Sequence, residues 1–575
     1  MLNVSSQTGY RPIMVDQYPE LYRNFRWHVP MTFNLATACC LKWAELPSHE
    51  RRQALVWMGP GAEQSITFGQ LAREMSQLAN GLSRLGVIPG DRVVILLTQP
   101  GDLLIAMMAC WAIRAVAVPL VPNTAPDTLL TQLKHARSQV ALIDSHTQDQ
   151  ALTAIARCPR IKHVVGKEVY DGRVMNWRGL TARQPQTCVS VGHLPSDPAV
   201  LVWPEPIGAD LPENAAMLLA HQGLIGQLPG FVAVTNWFPD AGNDMLCTLP
   251  LWSETGLMGA VLPALYFGHT VRLASHVPAP AHLPSAISHI VTTTTSLIQC
   301  LKHSTKPNSH IHSSIKIAGL TVLGKPMIEG WRTRALDAFG VEPNVGCFVS
   351  GCGLILGQSA TRWPNSTSED LRVMPGHRVR FSPQVKQGES AAPSDLLKLE
   401  IARTDATGHT DPALFIQLWP ARDSLDLGVT LPEWWPCGLT GQTNHPPDDS
   451  QQDLPPSLVV IEPQRTLERV EQHLLELKEI GWCQVFYAPS KKASMPKLEL
   501  WVLIETRESS TADDELDHEE LRKRVNDVVL QCLRGTSPQP IMRLGLVDGL
   551  PRHTLGQADR SDWSARQQQA LIQFI

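Results

Sequence analysis

Between residues 66 and 144 the chain alternates apolar strand-like runs with amphipathic helical ones, and this constrains the fold more than any other feature. In ITFGQLAREMSQLANGLSRLG, Leu71, Met75, Leu78, Leu82 and Leu85 recur at helical spacing, and Gly86 supplies a stop. The turn Pro89-Gly90-Asp91 leads into the apolar run RVVILL. A helix from about Asp102 to Ile113 follows, then AVAVPLV, the amphipathic PDTLLTQLKHAR and VALID. Strands apolar along their length and separated by helices predict a parallel sheet covered on both faces. The same style continues to about residue 345. The most apolar stretch, Leu103 to Val121, carries Arg114 inside it and is broken by Pro119. A spanning helix needs about 20 apolar residues without a central charge, so this stretch reads as a buried helix and then a buried strand.

With 575 residues the chain is too long for one compact core. The polar, proline-rich stretch 442–457, QTNHPPDDSQQDLPPS, reads as a linker. Beyond it, TLERVEQHLLELKEIG and EELRKRVNDVVLQCL read as helices, and WCQVFYA, LELWVLIE and IMRLGLV as strands. The division is 1–441 for a large part, 442–457 for the linker and 458–575 for a small α+β part. A net charge of −5 without a basic block argues against a nucleic-acid partner. The twelve cysteines form no C-x-x-C pair, which argues against a zinc ribbon. The first twenty residues have neither a basic start nor an apolar run, so no signal peptide is expected and the expected location is cytoplasmic.

YPELYRNFRWHVPMTFNLATACCLKWAE resembles the N-terminal signature of short- and medium-chain acyl-CoA synthetases of the adenylate-forming superfamily. GVIPGDRVVILL, AVAVPLVPNTAPDTLLTQLKHARSQVALID, HQGLIGQLPGF, TLPLWSETGLMGAVLPALYFG, PGHRV and LPRHTLGQADR continue the resemblance in order. It implies an α/β fold with a large multi-subdomain N-terminal domain of the AMP-binding type and a small α+β C-terminal domain. It also implies an AMP-forming acid–thiol ligase: ATP and magnesium activate a carboxylate to an acyl-adenylate, the small domain rotates, and coenzyme A takes the acyl group.

The residues at the motif positions depart from that chemistry. Adenylation joins two anions, so the site must supply positive charge, a metal or oriented N–H donors. The family's phosphate loop, T-S-G-T-T-G-x-P-K-G, corresponds to Trp203 to Ala216, with three prolines, three acids and no lysine. Between Arg183 and Arg272 there is no Lys or Arg, while seven Asp and Glu occur. The family's Y-G-x-T-E corresponds to Cys347 to Gly351; Ser350 keeps a hydroxyl, but Gly351 cannot ligate a hard cation. The family's G-G-E-P reads Leu323-Gly324-Lys325-Pro326. The ribose-binding T-G-D corresponds to Cys437-Gly438-Leu439, where Leu439 can accept no hydrogen bond, and Trp434-Trp435 precede it. The frame of P-x-x-x-x-G-K persists at the C-terminus, but Gln557 replaces the lysine; Arg560 lies three residues on. Cys347 and Cys352 lack further ligands at metal spacing and read as core residues, so no metal site is expected.

Gln557, Gly351 and Leu439 are therefore vestigial catalytic positions, and Ser350 and Gly438 belong to a vestigial nucleotide site. Trp252 and Gly256, in the segment Leu251 to Gly268 that corresponds to elements near the family's acyl pocket, are candidate substrate-binding residues; core packing also explains that segment. Arg114 stands where the family often has Gly. If that position is left-handed, a side chain costs on the order of 1 kcal/mol.

Three readings follow. The first is a pseudoenzyme that keeps the fold for binding, assembly or regulation, with no cofactor expected. The second is an active ligase with a rewired site, using ATP, magnesium and coenzyme A. The third is a partial enzyme that performs only acyl transfer. The partners open to it are an acyl or acyl-CoA-like small molecule and a protein. Limited proteolysis is expected to cut first within 442–457; a first cut elsewhere would displace that boundary.

Overall fold

The computed structural model describes residues 16–383 except 26–27, 60, 123, 189–193, 204–215, 237, 239–243, 304–316, 325–326, 350–352, 361–362, 364–370. Beyond these it describes 397–403, 416–419, 435–443, 458–460, 463–489, 498–506, 518–533, 541–547 and 572–574.

The elements read from the sequence are present. The helix Phe68–Arg84 starts at a capping box in which Thr67 and Gln70 exchange side-chain hydrogen bonds with each other's backbone N–H. Leu71, Met75, Leu78 and Leu82 are buried on it, Leu85 is half-buried just beyond its end, and Gly86 turns left-handed. The apolar helix is Pro100–Ala112, beginning two residues before Asp102 because Pro100 suits the first turn. It is followed by the fully buried strand Val116–Pro119. Among the described residues no helix is long and apolar enough to cross a membrane.

Two large sheets form the body. In the eight-stranded sheet, Arg92–Leu96 pairs in parallel with Val116–Pro119 on one side and with Val140–Asp144 on the other. The sheet continues through Pro198–Val202, antiparallel to Ala216–Ala220. In the nine-stranded sheet, Asp244–Cys247, Ile287–Thr292, Gly319–Leu323 and Asn344–Val349 run parallel in that order, and Gly353–Gly357 turns back antiparallel. The fold is thus α/β as the sequence predicts.

A third sheet is antiparallel and joins His377–Pro383, Leu397–Arg403, Trp435–Thr443 and Leu458–Val460. Gln442 and Thr443 therefore close a strand, paired with Val459 and Leu458, within the stretch read as linker; 444–457 lie outside the described residues. The last sheet, Ile480–Pro489, Leu498–Thr506, Ile541–Val547 and Ile572–Phe574, carries the helices Pro463–Leu474 and His518–Cys532. It meets the larger body through a shared apolar cluster. The fully buried Trp331 donates its indole N–H to the Gln472 carbonyl at 3.0 Å, and the Gln472 side-chain oxygen accepts from Ile328 N at 3.0 Å. Lys302 donates to the carbonyls of Leu477 and Ile480, just past the end of the Pro463–Leu474 helix, where a cation complements the helix dipole.

Arg114 adopts φ 62°, so the left-handed position inferred from the sequence is real and a non-glycine occupies it. Its carbonyl accepts from Gly90 N at 2.7 Å, and its guanidinium pairs with Asp197 at 2.9 Å. That half-exposed pair offsets the strain by up to about 1 kcal/mol. Arg114→Gly, which exchanges strain for the pair, is expected to stay within about 1 kcal/mol of wild type in urea unfolding. Asp197→Ala keeps the strain and loses the pair, and should be the more destabilised of the two.

Candidate active site

The counterpart of the phosphate loop lies in sequence between the antiparallel strands Pro198–Val202 and Ala216–Ala220. Residues 204–215 lie outside the described residues, and only the flanking Trp203 and Ala216 are placed. Trp203 is half-buried, edge-on to His135 at 6.0 Å. Ser350 and Gly351 fall in sequence between Asn344–Val349 and Gly353–Gly357 and are outside the described residues, as is Cys352. Lys325, Pro326, Trp434, Gln557 and Arg560 are outside them as well.

Gly438 and Leu439 lie in the strand Trp435–Thr443 at an irregularity. Glu400 pairs with Pro436 and Lys398 with Thr440, so three residues, Cys437 to Leu439, oppose Leu399 alone. A bulge of this kind bends the strand and re-aims its side chains. Cys347 is buried near the end of Asn344–Val349. Among the described residues no group of three His, Cys, Asp or Glu could hold a metal ion.

Trp252 and Gly256 fall just outside the carboxyl end of Asp244–Cys247, the region where open parallel sheets take ligands. Gly256 has a backbone reason to be glycine. A Cβ there would stand 2.1 Å from the Pro250 carbonyl oxygen, and its N–H is capped by Ser253 Oγ at 3.0 Å. The Trp252 indole nitrogen is buried without an acceptor among the described residues. The helix then loosens into a π turn, Leu257–Val261, before Leu262–Tyr266. Pro263 lacks an N–H and removes one of the bonds that would hold the turn tight. Single π turns of this sort occur often at functional sites. The sequence reading missed this turn, although a proline inside a helical pattern was its available signal.

A second polar cluster, also missed, lies at the carboxyl edge of the eight-stranded sheet. Asp102, in the first turn of Pro100–Ala112, pairs with Lys167 at the end of His163–Lys167. Burial raises the carboxyl of Asp102 above its ordinary range, against the pull of Lys167, and burial likewise raises that of Glu74. Asp144, buried, accepts from Thr98 N at 2.6 Å and Thr98 Oγ1 at 2.7 Å, which ties the ends of two parallel strands together.

Two large sheets rich in parallel strands, with a smaller unit at the C-terminal end, give a fold similar to that of solved CoA ligases. In sequence the chain is similar to AMP-binding enzymes and to acetyl-coenzyme A synthetases. Residues 43–203 match the AMP-binding enzyme family. Acetyl-coenzyme A synthetases of Shewanella oneidensis and Shewanella putrefaciens are 26% and 25% identical over 364 residues, covering 56% of this chain and 53% of each relative. The chain thus spans about half the length of the curated relatives it matches. The anthranilate CoA ligase AuaEII in complex with anthranoyl-AMP superposes with a TM-score of 0.69 at 16% identity, over 94% of this chain and 98% of that one. A benzoate CoA ligase from Burkholderia xenovorans gives 0.69 at 16% identity, over 92% and 99%.

Gly256→Ala is expected to lose more than about 2 kcal/mol in urea unfolding, because backbone must move to admit the methyl. Gly172→Ala, where a Cβ meets nothing within 4 Å, should stay within about 0.5 kcal/mol of wild type.

Proposed function

We propose that this chain is an acyl-CoA synthetase-like pseudoenzyme. It has lost ATP-dependent carboxylate adenylation and keeps the fold for binding, assembly or regulation in the cytoplasm, with 1–441 and 458–575 as its two units. The observation that carries this reading is the phosphate-loop position. Its sequence, from Pro204 to Ala216, follows one buried strand and runs into the next, and has three prolines, three acids and no lysine. Prolines remove N–H donors, and acids repel a triphosphate.

Three further departures point the same way: Gly351 for the magnesium-holding carboxylate, Leu439 for the ribose-holding carboxylate and Gln557 for the lysine. Each loss of a donor or charge at a transition state costs about 10²–10³ in rate. These losses are not additive, yet losing several would remove most of a rate enhancement that starts at about 10⁶. The donor set does not fit Mg-ATP, so no step is routed through it. A ligand in keeping with the retained framework is an acyl group or acyl-CoA-like molecule, and a protein partner would serve an assembly role.

Calorimetric titration is expected to give no saturable heat with Mg-ATP up to millimolar concentration. Carboxylate-dependent pyrophosphate release should be absent in wild type and in Gln557→Lys, because a restored lysine has no bound triphosphate to act on. Micromolar ATP binding, or clear turnover by Gln557→Lys, would return the chain to the ligases.

A further inference from the structure

We propose that the amino edge of the eight-stranded sheet docks on an anionic lipid surface: Lys134, Arg137, Arg157, Arg160 and Lys162 meet the headgroups, and the exposed side chains of Ile88 and Leu194 enter the interface beside them. The proposal does not rest on the loss of adenylation. It concerns the edge opposite the one at which Asp144 ties down Thr98.

No run of the sequence is basic; the fold gathers the charge. Val116–Pro119, Arg92–Leu96, Val140–Asp144 and His163–Lys167 lie side by side in parallel, so all four strands begin at one edge. Their starts are stitched together: Ser138 Oγ donates to the Arg92 carbonyl at 2.6 Å, and Lys162 N donates to the Gln139 carbonyl at 2.9 Å. The helices Pro126–Ala136 and Gln148–Ile155 pack against each other and run toward the same edge, the first bringing Lys134 and Arg137, the second Arg157 and Arg160. Burial lowers the pKa of Arg92, and the charges of Arg137 and Arg160 beside it lower it further; burial raises that of the Cys158 thiol against the pull of Lys134 and Arg157. Among the described residues none of these five cations forms a salt bridge. The acids along the edge are engaged, Asp91 by Ile88 N at 3.0 Å and Asp197 by Arg114.

Cations near the carboxyl ends of helices complement the helix dipole. That accounts for Arg92, whose guanidinium donates to the carbonyls of His135 and Ala136 at 3.3 and 3.2 Å, and for Lys134 in the last helical turn. It does not account for Lys162, which precedes a strand, or for Arg137, which holds φ 53° just past its helix, where glycine would be unstrained. The other half of the surface is apolar. Ile88 is 62% exposed and Leu194 61%, and both are fixed at this edge. Ile88 is held by Asp91 just before Arg92, and Leu194 N donates to Asp197 Oδ2 at 3.2 Å just before Pro198–Val202. Arg114 joins the two, its carbonyl accepting from Gly90 N and its guanidinium pairing with Asp197. Cations alone suit any polyanion. Apolar prongs beside them suit a surface in which anionic headgroups cover hydrocarbon.

The test is co-sedimentation of the full chain with phosphatidylcholine vesicles that contain about 30% phosphatidylserine or none, at about 0.15 M salt. Wild type is expected to bind the anionic vesicles at least about tenfold more tightly than the neutral ones, and to lose that preference near about 1 M salt. Arg160→Glu with Lys162→Glu should weaken binding at least about tenfold, since each cation near such a surface is worth about fivefold. Arg522→Glu with Lys523→Glu, the same change of charge at exposed positions of the helix His518–Cys532, should change it by no more than about twofold. Ile88→Ser with Leu194→Ser should weaken it at least about fivefold. Equal binding to both kinds of vesicle, or none, would overturn the proposal. So would unaltered binding by either pair of variants at the edge. Full displacement from the vesicles by polyglutamate or duplex DNA of equal total charge would make the edge a site for a soluble polyanion and overturn it too. If the Arg160→Glu, Lys162→Glu chain does not fold, Lys134→Gln with Arg157→Gln decides: weaker vesicle binding supports the docking edge, and unchanged binding ends it. ATP turnover by the wild type would sink the pseudoenzyme reading and leave the vesicle result untouched.

Discussion

The helix Pro100–Ala112 has no polar face, and the architecture depends on burying it from all sides. Eleven of its thirteen residues are buried. A helix that is apolar all round belongs inside a large core, and here strands of both large sheets cover it. Gly101 lets Trp57 of the nine-stranded sheet approach to 2.4 Å from where a Cβ would be. At the other end, Trp111 donates its indole N–H to the carbonyl of Ala199 in the eight-stranded sheet at 2.9 Å, and Asn34 donates to the Trp111 carbonyl at 3.1 Å. One helix thus sets the distance and rotation between the sheets.

That constraint is mainly apolar, and its contacts come from none of the residues at the nucleotide-motif positions. The positions of the phosphate loop and of the metal-holding carboxylate fall in sequence between paired strands, and that of the ribose anchor lies at a bulge. Such places tolerate change because few core contacts depend on them. Sequence can change there while the framework stays, and the chain superposes on two CoA ligases with a TM-score of 0.69 at 16% identity.

The same division decides what was legible in the sequence. Strand and helix periods are local, so the elements from Phe68 to Asp144 could be placed within two or three residues, and a glycine position occupied by Arg114 could be recognised as left-handed. Contacts between distant residues leave no local period. Gly259 and Phe348 are ordinary apolar-run residues until the fold brings them together, and Asp102 and Lys167 likewise pair only across the sheet's edge. Gln442 and Thr443 look like linker because their composition is polar. Their strand partners, Val459 and Leu458, lie beyond the prolines, where backbone pairing rather than side-chain pattern defines the element.

The docking of Trp331 carries one more consequence. Its indole is fully buried only because the helix Pro463–Leu474 supplies Gln472 as acceptor and Leu467, Val470 and Leu474 to the shared cluster. A chain cut short before that helix would leave the Trp331 indole without its Gln472 acceptor and open an apolar face to water. The composition changes sharply near residue 450, but the apolar cluster runs on across that change.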